Sequence, residues 1–372
     1  MIKSISLKMD NRQILRTDER LSSVAWPALQ KIDVPALGVD DCLLICAGFE
    51  ERSIETLRRI RDAGKYGFSL GLVSYLPQQP ENREEELHTI SQDADLQETR
   101  FVYDRENPAG MGEKLKEFTQ GFDRVFIDIS GMSRLLIVQT LVALLSLEKH
   151  SVAVIYGEAK DYPPSREQFE QDHREDVTRP VPGYLSSGIF EIAATPELSS
   201  VSMLGEAIRL IAFPSFDPAQ LTNLLQELQP TYTEFIHGIP PAQENKWRTE
   251  AISKLNRSAL DELRGKRDHE TSTLDYREIL YKLLQIYAER SMFDRLVVAP
   301  TGSKMQAVAV GLFRAALHDV QIVYPTPQVF TTPEEHTVGL RQLYQLDIPA
   351  EAFTDTTRNS REDPSDSFET HP

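Results

Sequence analysis

Short apolar runs alternate with amphipathic stretches along most of this chain. Cys42–Ala47 is an apolar run that ends at Gly48, and the residues from 51 to 62 follow with helical spacing. Phe68–Tyr75 is a second such run, closed by Leu76–Pro77, and a polar helix is predicted over 82–93. Arg100–Tyr103 predicts a strand, 112–120 a helix, Val125–Ile127 a buried strand, 133–148 a long apolar helix and Ser151–Tyr156 another strand. Runs too short for helices, alternating with amphipathic segments of ten residues or so, predict an α/β fold with a mostly parallel sheet and helices on both faces.

The pattern breaks over 158–184, which is polar, proline-bearing and aperiodic, and then resumes. Gly188–Ala193 predicts a strand, a short helix is expected near 198–206, and Arg209–Phe213 and 231–238 predict further strands. The second stretch repeats landmarks of the first. PSFDP aligns with AGFEE, so that Phe216 matches Phe49, and IPPAQEN aligns with LPQQPEN, so that Asn245 matches Asn82. Asp275 follows Asp104 by 171 residues, Asp294–Arg295 repeats Asp123–Arg124 at the same offset, and Tyr324 ends a strand as Tyr156 does. Ordered landmarks at a nearly constant offset imply an internal duplication, and a period this long means paired domains, not a solenoid.

The expected organisation is therefore an N-terminal β-extension over 1–40 and a first Rossmann-like domain over 41–157. A polar linker or lid loop follows over 158–187, and then a second Rossmann-like domain over 188–345. A helix is expected over 333–343, and the apolar-poor tail 354–372 is expected to be disordered. Composition narrows the picture. Lys and Arg number 40 against 57 Asp and Glu, a net charge of −17, which argues against coating an extended nucleic-acid duplex, where Lys and Arg must neutralise phosphates. The longest apolar runs fall short of a membrane span, and the first residues lack a secretory core, so a cytoplasmic protein with no membrane partner is expected. Cys42 and Cys46, four apart on a strand, lie about 13 Å from each other, too far for a disulfide. The eight histidines are scattered and form no metal motif, so neither a metal nor a cofactor is expected.

Candidate chemistry gathers at the carboxyl ends of the strands, where open α/β sheets collect ligands. In FDRVFIDISGMSRLL, Phe122–Leu136, a buried strand stops at Asp128, Ser130, Gly131 and Ser133 and opens an apolar helix pattern that starts near Leu135, with Arg134 supplying positive charge. FDRLVVAPTGSKMQAV repeats the design with Thr301, Gly302, Ser303 and Lys304. Small residues permit close backbone approach, hydroxyls donate to phosphate oxygens, and a helix N-terminus with a nearby cation welcomes an anion. Gly48, Phe49 and Glu50 stand at the end of the first strand, and Glu50 with Arg52 can equally be a surface ion pair. Ser130 and Thr301 can equally be N-caps. The absence of GxxxxGK[ST] and GxGxxG argues against P-loop hydrolysis and ordinary dinucleotide redox chemistry.

Asp128, Ser130 and Arg134, in Asp-Ile-Ser-Gly-Met-Ser-Arg, resemble the motif of CRISPR-associated Rossmann fold (CARF) sensor domains: an Asp or Asn, one residue, a Ser or Thr, three residues, then a Lys or Arg after the fourth strand. The second copy departs from it, with Ala299 at the acidic position and Lys304 one place early. Two such units in one chain resemble the SAVED sensors of cyclic-oligonucleotide anti-phage signalling. The resemblance implies ligand roles for Asp128, Ser130 and Arg134 and for Thr301 and Lys304, with the turn at Gly48–Phe49 lining the same pocket. It implies a sensor or regulatory subunit that binds a nucleotide-derived ligand and acts through a separate effector protein. Two other readings stand beside it: a metal-independent phosphodiesterase that opens such a ligand, and a scaffold or toxin-like component of a defence complex. No residue is assigned as catalytic. A pseudo-symmetric pair can be complete as a monomer or stack head to tail, so a homo-oligomer stays open.

Overall fold

A computed structural model describes residues 17–78, 82–147, 151–173, 186–261, 263, 265–330 and 338–353. The expected tail 354–372, the start of the N-terminal extension and part of the 158–187 segment lie outside the described residues. The first unit comprises β2 (Asp41–Cys46), α2 (Arg52–Asp62), β3 (Ser69–Leu76), α3 (Glu84–Asp93), β4 (Gln97–Asp104), α4 (Met111–Thr119), β5 (Arg124–Asp128), α5 (Arg134–Leu144) and β6 (Ser151–Asp161). The second comprises β8 (Ile208–Ala212), α7 (Pro218–Leu228), β9 (Tyr232–Ile239), α8 (Trp247–Leu255), α9 (Arg257–Asp261), β10 (Lys266–Ser272), α10 (Tyr276–Arg290), β11 (Arg295–Ala299), α11 (Lys304–Ala316) and β12 (Gln321–Ile322). Each is α/β with a parallel sheet, as the alternation predicts.

Strand order shows that the halves share a topology. The first sheet runs β6-β5-β2-β3-β4 and the second β12-β11-β8-β9-β10. Numbered within each unit, both read 5-4-1-2-3. In both, the chain reverses between the first and fourth strands, at β2/β5 and at β8/β11, which is the switch point where ligands collect.

The units meet through their helices. α4 and α5 cover one face of the first sheet, α10 and α11 one face of the second, and α5 packs on α11. Leu136, Val138 and Leu141 thereby share one buried core with Val308, Leu312 and Phe313. Gly311 makes the close crossing feasible, because a Cβ there would lie 2.7 Å from Leu141 Cδ1. The outer faces are closed separately, by Ile54, Leu57 and Leu87 under the first sheet and by Leu221, Leu224 and Leu260 under the second. A fused core of this kind fixes one half relative to the other.

Several expectations are corrected. The segment over 338–348 is β14 (Val338–Ile348), not the end of a helix over 333–343. It crosses back to pair antiparallel with β6, and β1 (Gln30–Ile32) pairs with β14, making the first sheet seven-stranded. Tyr344, Leu346 and Ile348 alternate with polar residues and are buried, a strand period, and the exposed edge of β6 supplies the partner. The second domain therefore does not simply run to 345. The polar segment from 158 is not all loop: β6 continues to Asp161, and α6 (Arg166–Asp172) follows. Near 198–206 there is only a single 3-10 turn over Pro196–Leu198. Tyr324 does not end a strand but starts β13 (Tyr324–Phe330), which pairs with β7 (Ser186–Ala193), and Tyr156 lies inside β6. α1 (Thr17–Ser23) packs on α10, and Trp26 meets Tyr276 edge to face.

Candidate functional site: a cleft shared by the two halves

The carboxyl ends of both sheets open into one cleft of about 360 Å³, within the range of small-molecule sites. Landmarks of the duplication line it from both sides: Phe49 and Phe216, Glu50 and Asp217, Asn82 and Asn245, Ser133 and Ser303, Arg134 and Lys304, Tyr156 and Tyr324. The floor is built by the first turns of α5 and α11. Ser133 caps α5 by accepting from the Leu136 N–H at 3.2 Å. Ser303 caps α11 in a capping box, accepting from the Gln306 N–H at 3.2 Å while Gln306 Oε1 accepts from the Ser303 N–H at 2.6 Å. Two helices thus direct their positive ends at one space.

Arg134 and Lys304 are the first residues of these helices, and each reaches the other half. Arg134 Nε donates to the carbonyl of Gly302, and Lys304 Nζ donates to the carbonyl of Met132 at 2.7 Å. Gly302 and Met132 each precede the cap of their own helix, so the two bonds are pseudo-symmetric. Among the described residues neither cation forms an ion pair. Lys304 is half-buried and walled in by the cleft. Burial, with Arg52 and Arg134 nearby, pushes its pKa down to about 7, against the pull of Glu50.

Of the sequence-predicted residues, Gly48, Phe49, Glu50, Gly131, Ser133, Arg134, Gly302, Ser303 and Lys304 line the cleft. Asp128, Ser130 and Thr301 do not; they are buried in the structure beneath it. Asp128 Oδ1 accepts from the Ser130 N–H at 2.8 Å, and burial holds its carboxyl above the usual range. Ser130 Oγ accepts from the Gly157 N–H at 2.8 Å, tying the end of β5 to β6. Thr301 Oγ1 donates to the Phe213 carbonyl at 2.7 Å, tying the end of β11 to β8. Neither hydroxyl is the helix cap, since Ser133 and Ser303 hold those places. The glycines are explained by close approach: a Cβ on Gly131 would lie 2.1 Å from the Cys46 carbonyl oxygen, and one on Gly302 1.9 Å from Gln306 Oε1. Cys42 and Cys46 are buried free thiols whose pKa burial pushes up to about 12.

Glu50 and Arg52 are an ion pair at 2.9 Å, but a buried one inside the cleft instead of a surface pair. Arg52 is 5% exposed and also donates to the Gly157 carbonyl at 2.9 Å. Sequence reasoning missed Arg105, whose guanidinium lies 4.1 Å from the Tyr75 ring centroid. It also missed Arg248, which donates to the carbonyls of Tyr162, Pro163 and Pro164 and lies 4.3 Å from the Phe216 ring centroid. Burial pushes the Arg248 pKa down to about 10. No motif marks either arginine, because the fold alone brings them to the cleft. Glu158 and Tyr162, in the segment read as linker or lid, also line it. Of the other strand-end residues, Tyr75, Ser215 and Asp217 line the cleft, whereas His237 faces a separate groove with Asp268. Among the described residues no group of His, Cys, Asp and Glu could hold a metal ion, and no helix is long and apolar enough to cross a membrane.

No protein-family model matches the chain, and no curated protein does. Among solved structures, a universal stress protein from Archaeoglobus fulgidus DSM 4304 aligns at 11% identity and TM-score 0.23, covering 77% of this chain and 97% of that one. A putative universal stress protein from Pseudomonas aeruginosa UCBPP-PA14 aligns at 8% identity and TM-score 0.21, covering 77% and 93%. The cytoplasmic domain of a prokaryotic cation chloride cotransporter aligns at 10% identity and TM-score 0.23, covering 76% and 94%. Likenesses at these scores carry no argument about function.

Proposed function

We propose that this protein is a sensor or regulatory subunit whose central cleft binds one nucleotide-derived anion, of the cyclic oligonucleotide type, and signals to a separate effector protein. The observation that carries this reading is the convergence of Arg134 and Lys304, at the first turns of two helices from duplicated halves, on one cleft. Helix N-termini and cations favour phosphate, and Phe49, Tyr156, Phe216 and Tyr324 line the same cleft. A cationic cleft in a chain of net charge −17 is a local device, since the remaining surface would repel the same ligand. The resemblance of the first motif to CARF sensors supports a setting in prokaryotic anti-phage defence.

One observation favours a second reading, a metal-independent phosphodiesterase acting on the same ligand. Lys304, held at a pKa of about 7, is suited to exchange a proton near neutral pH. Incubation with cyclic and linear oligonucleotides, followed by thermal melting and by product analysis, separates the two. Stabilisation without turnover supports the sensor, and linear products support the enzyme. A melting temperature that no nucleotide moves defeats both.

A further inference from the structure

The floor and one wall of the cleft are held in different ways. Under the floor, α5 packs on α11 in the core that both halves share. Along the wall, the chain leaves the first half at Asp161, the end of β6, and lands on the second half, where α6 packs against α8. Tyr162 and Pro163, between the two, line the cleft. Residues 162–172 thus form a strap from one half to the other.

The strap has few anchors. Within residues 161–173, Pro164 and Phe169 alone are buried. Phe169 packs with Phe216, Trp247 and Ala251 in a small cluster separate from the core under either sheet. Its ring centroid lies 6.2 Å from that of Phe216 and 5.7 Å from that of Trp247. α6 has seven residues, too few to hold a helix without such a contact. The other anchor is Arg248, which donates to the carbonyls of Tyr162 at 3.0 Å, Pro163 at 2.8 Å and Pro164 at 2.9 Å. Its charge is held among carbonyls and the rings of Phe216 and Trp247, so desolvation offsets much of what the three bonds return. Arg341 and Glu244 also tie the halves, at 2.8 Å, but as an exposed pair that contributes little. A short helix, two buried side chains and one desolvated cation describe a segment that opens locally while the rest stays folded.

We infer that residues 162–172 are the gate of the cleft: the strap releases from α8 as a unit, molecules pass in and out beside it, and the halves themselves do not hinge. The shared core under the floor is what prevents a hinge. Arg248 and Phe216 have a double position, since both hold the strap and both line the cleft. A ligand packed against them favours the closed strap and lengthens its own stay. That last consequence rests on the ligand-binding reading of the cleft, whereas the gate itself does not.

The test uses the full chain without ligand, so it is decided apart from the nucleotide reading. Backbone hydrogen exchange, read by mass spectrometry, should show the amides of 165–173 exchanging about a hundredfold faster than those of α5 and α11. Phe169→Ala and Arg248→Met should each speed exchange over 165–173 by about tenfold or more and leave α5 and α11 as they were. Phe169 does not line the cleft, so its variant also tests passage. Acylation of Lys304 by a bulky succinimidyl ester, located by mass spectrometry, should quicken in Phe169→Ala in step with the exchange. Protection of α6 equal to that of α5, or exchange unchanged in both variants, overturns the strap as an opening unit. Faster exchange with an unmoved rate of Lys304 acylation overturns the gate.

Discussion

Lys304 Nζ lies 2.7 Å from the carbonyl oxygen of Met132, in the other half of the duplication. Arg134 makes the reciprocal bond to Gly302. Each helix thus lends its first cation to the turn that begins its counterpart. Among the described residues these cations donate to carbonyls and form no ion pair with a carboxylate. A bond from a charged donor to a partly exposed carbonyl contributes about 1–2 kcal/mol at most. Arg134→Ala is therefore expected to leave the protein folded, with a loss of stability in that range by chemical denaturation, while abolishing ligand-induced stabilisation. Unfolding of the variant would assign Arg134 a structural role instead.

Ser130 and Thr301 belong to the frame under the cleft. Ser130→Ala leaves the Gly157 N–H buried without its acceptor, and Thr301→Val removes the bond to Phe213. Each is expected to cost about 1–3 kcal/mol in denaturant titration while ligand affinity changes less than it does in Arg134→Ala. A selective loss of binding at unchanged stability would return both hydroxyls to the ligand.

The glycines of the two turns separate by geometry. Gly131→Ala brings a Cβ to 2.1 Å from a backbone oxygen, which cannot swing away, whereas Gly48→Ala meets nothing nearer than 3.5 Å. The first should cost about 3 kcal/mol, at the upper end for overpacking, and the second less than about 1 kcal/mol. Melting curves of the two variants check the order.

The pH dependence follows from Lys304. Its pKa in the fold, about 7, lies below the usual 10.5, so between pH 7 and 10.5 the unfolded chain holds a proton that the native state lacks. Its contribution to stability rises with pH across that window, and below pH 7 its burial penalty is fully present. An anion in the cleft favours the protonated amine. Ligand affinity should then be level below pH 7 and fall by up to about tenfold per pH unit above it. Titrations at pH 8 in buffers of different ionisation enthalpy should show proton uptake on binding, and binding without it would contradict the role of Lys304.

The strand–helix alternation and the landmarks shared by Asp123 and Asp294, or Asn82 and Asn245, made the duplication legible in the sequence, and the identical strand orders agree with it. β14 was not legible as a strand. A Thr-Pro-Glu-Glu stretch before it imitates a helix start, and only the open edge of β6, a tertiary feature, selects the extended form. In the site, glycines and first-turn cations were legible because their roles are local. Asp128, Ser130 and Thr301 were legible as special but not as buried, since depth beneath a cleft depends on neighbouring strands. Arg105, Arg248 and Gln220 carried no local signal at all, because chain segments far apart in sequence bring them to the cleft.

Binding stoichiometry tests the central claim most directly. If the two halves form one site, calorimetric titration with a cyclic oligoadenylate gives one ligand per chain, and either Arg134→Ala or Lys304→Ala alone removes binding. Two ligands per chain, each lost with only one of these substitutions, would show two separate sites and contradict the shared cleft.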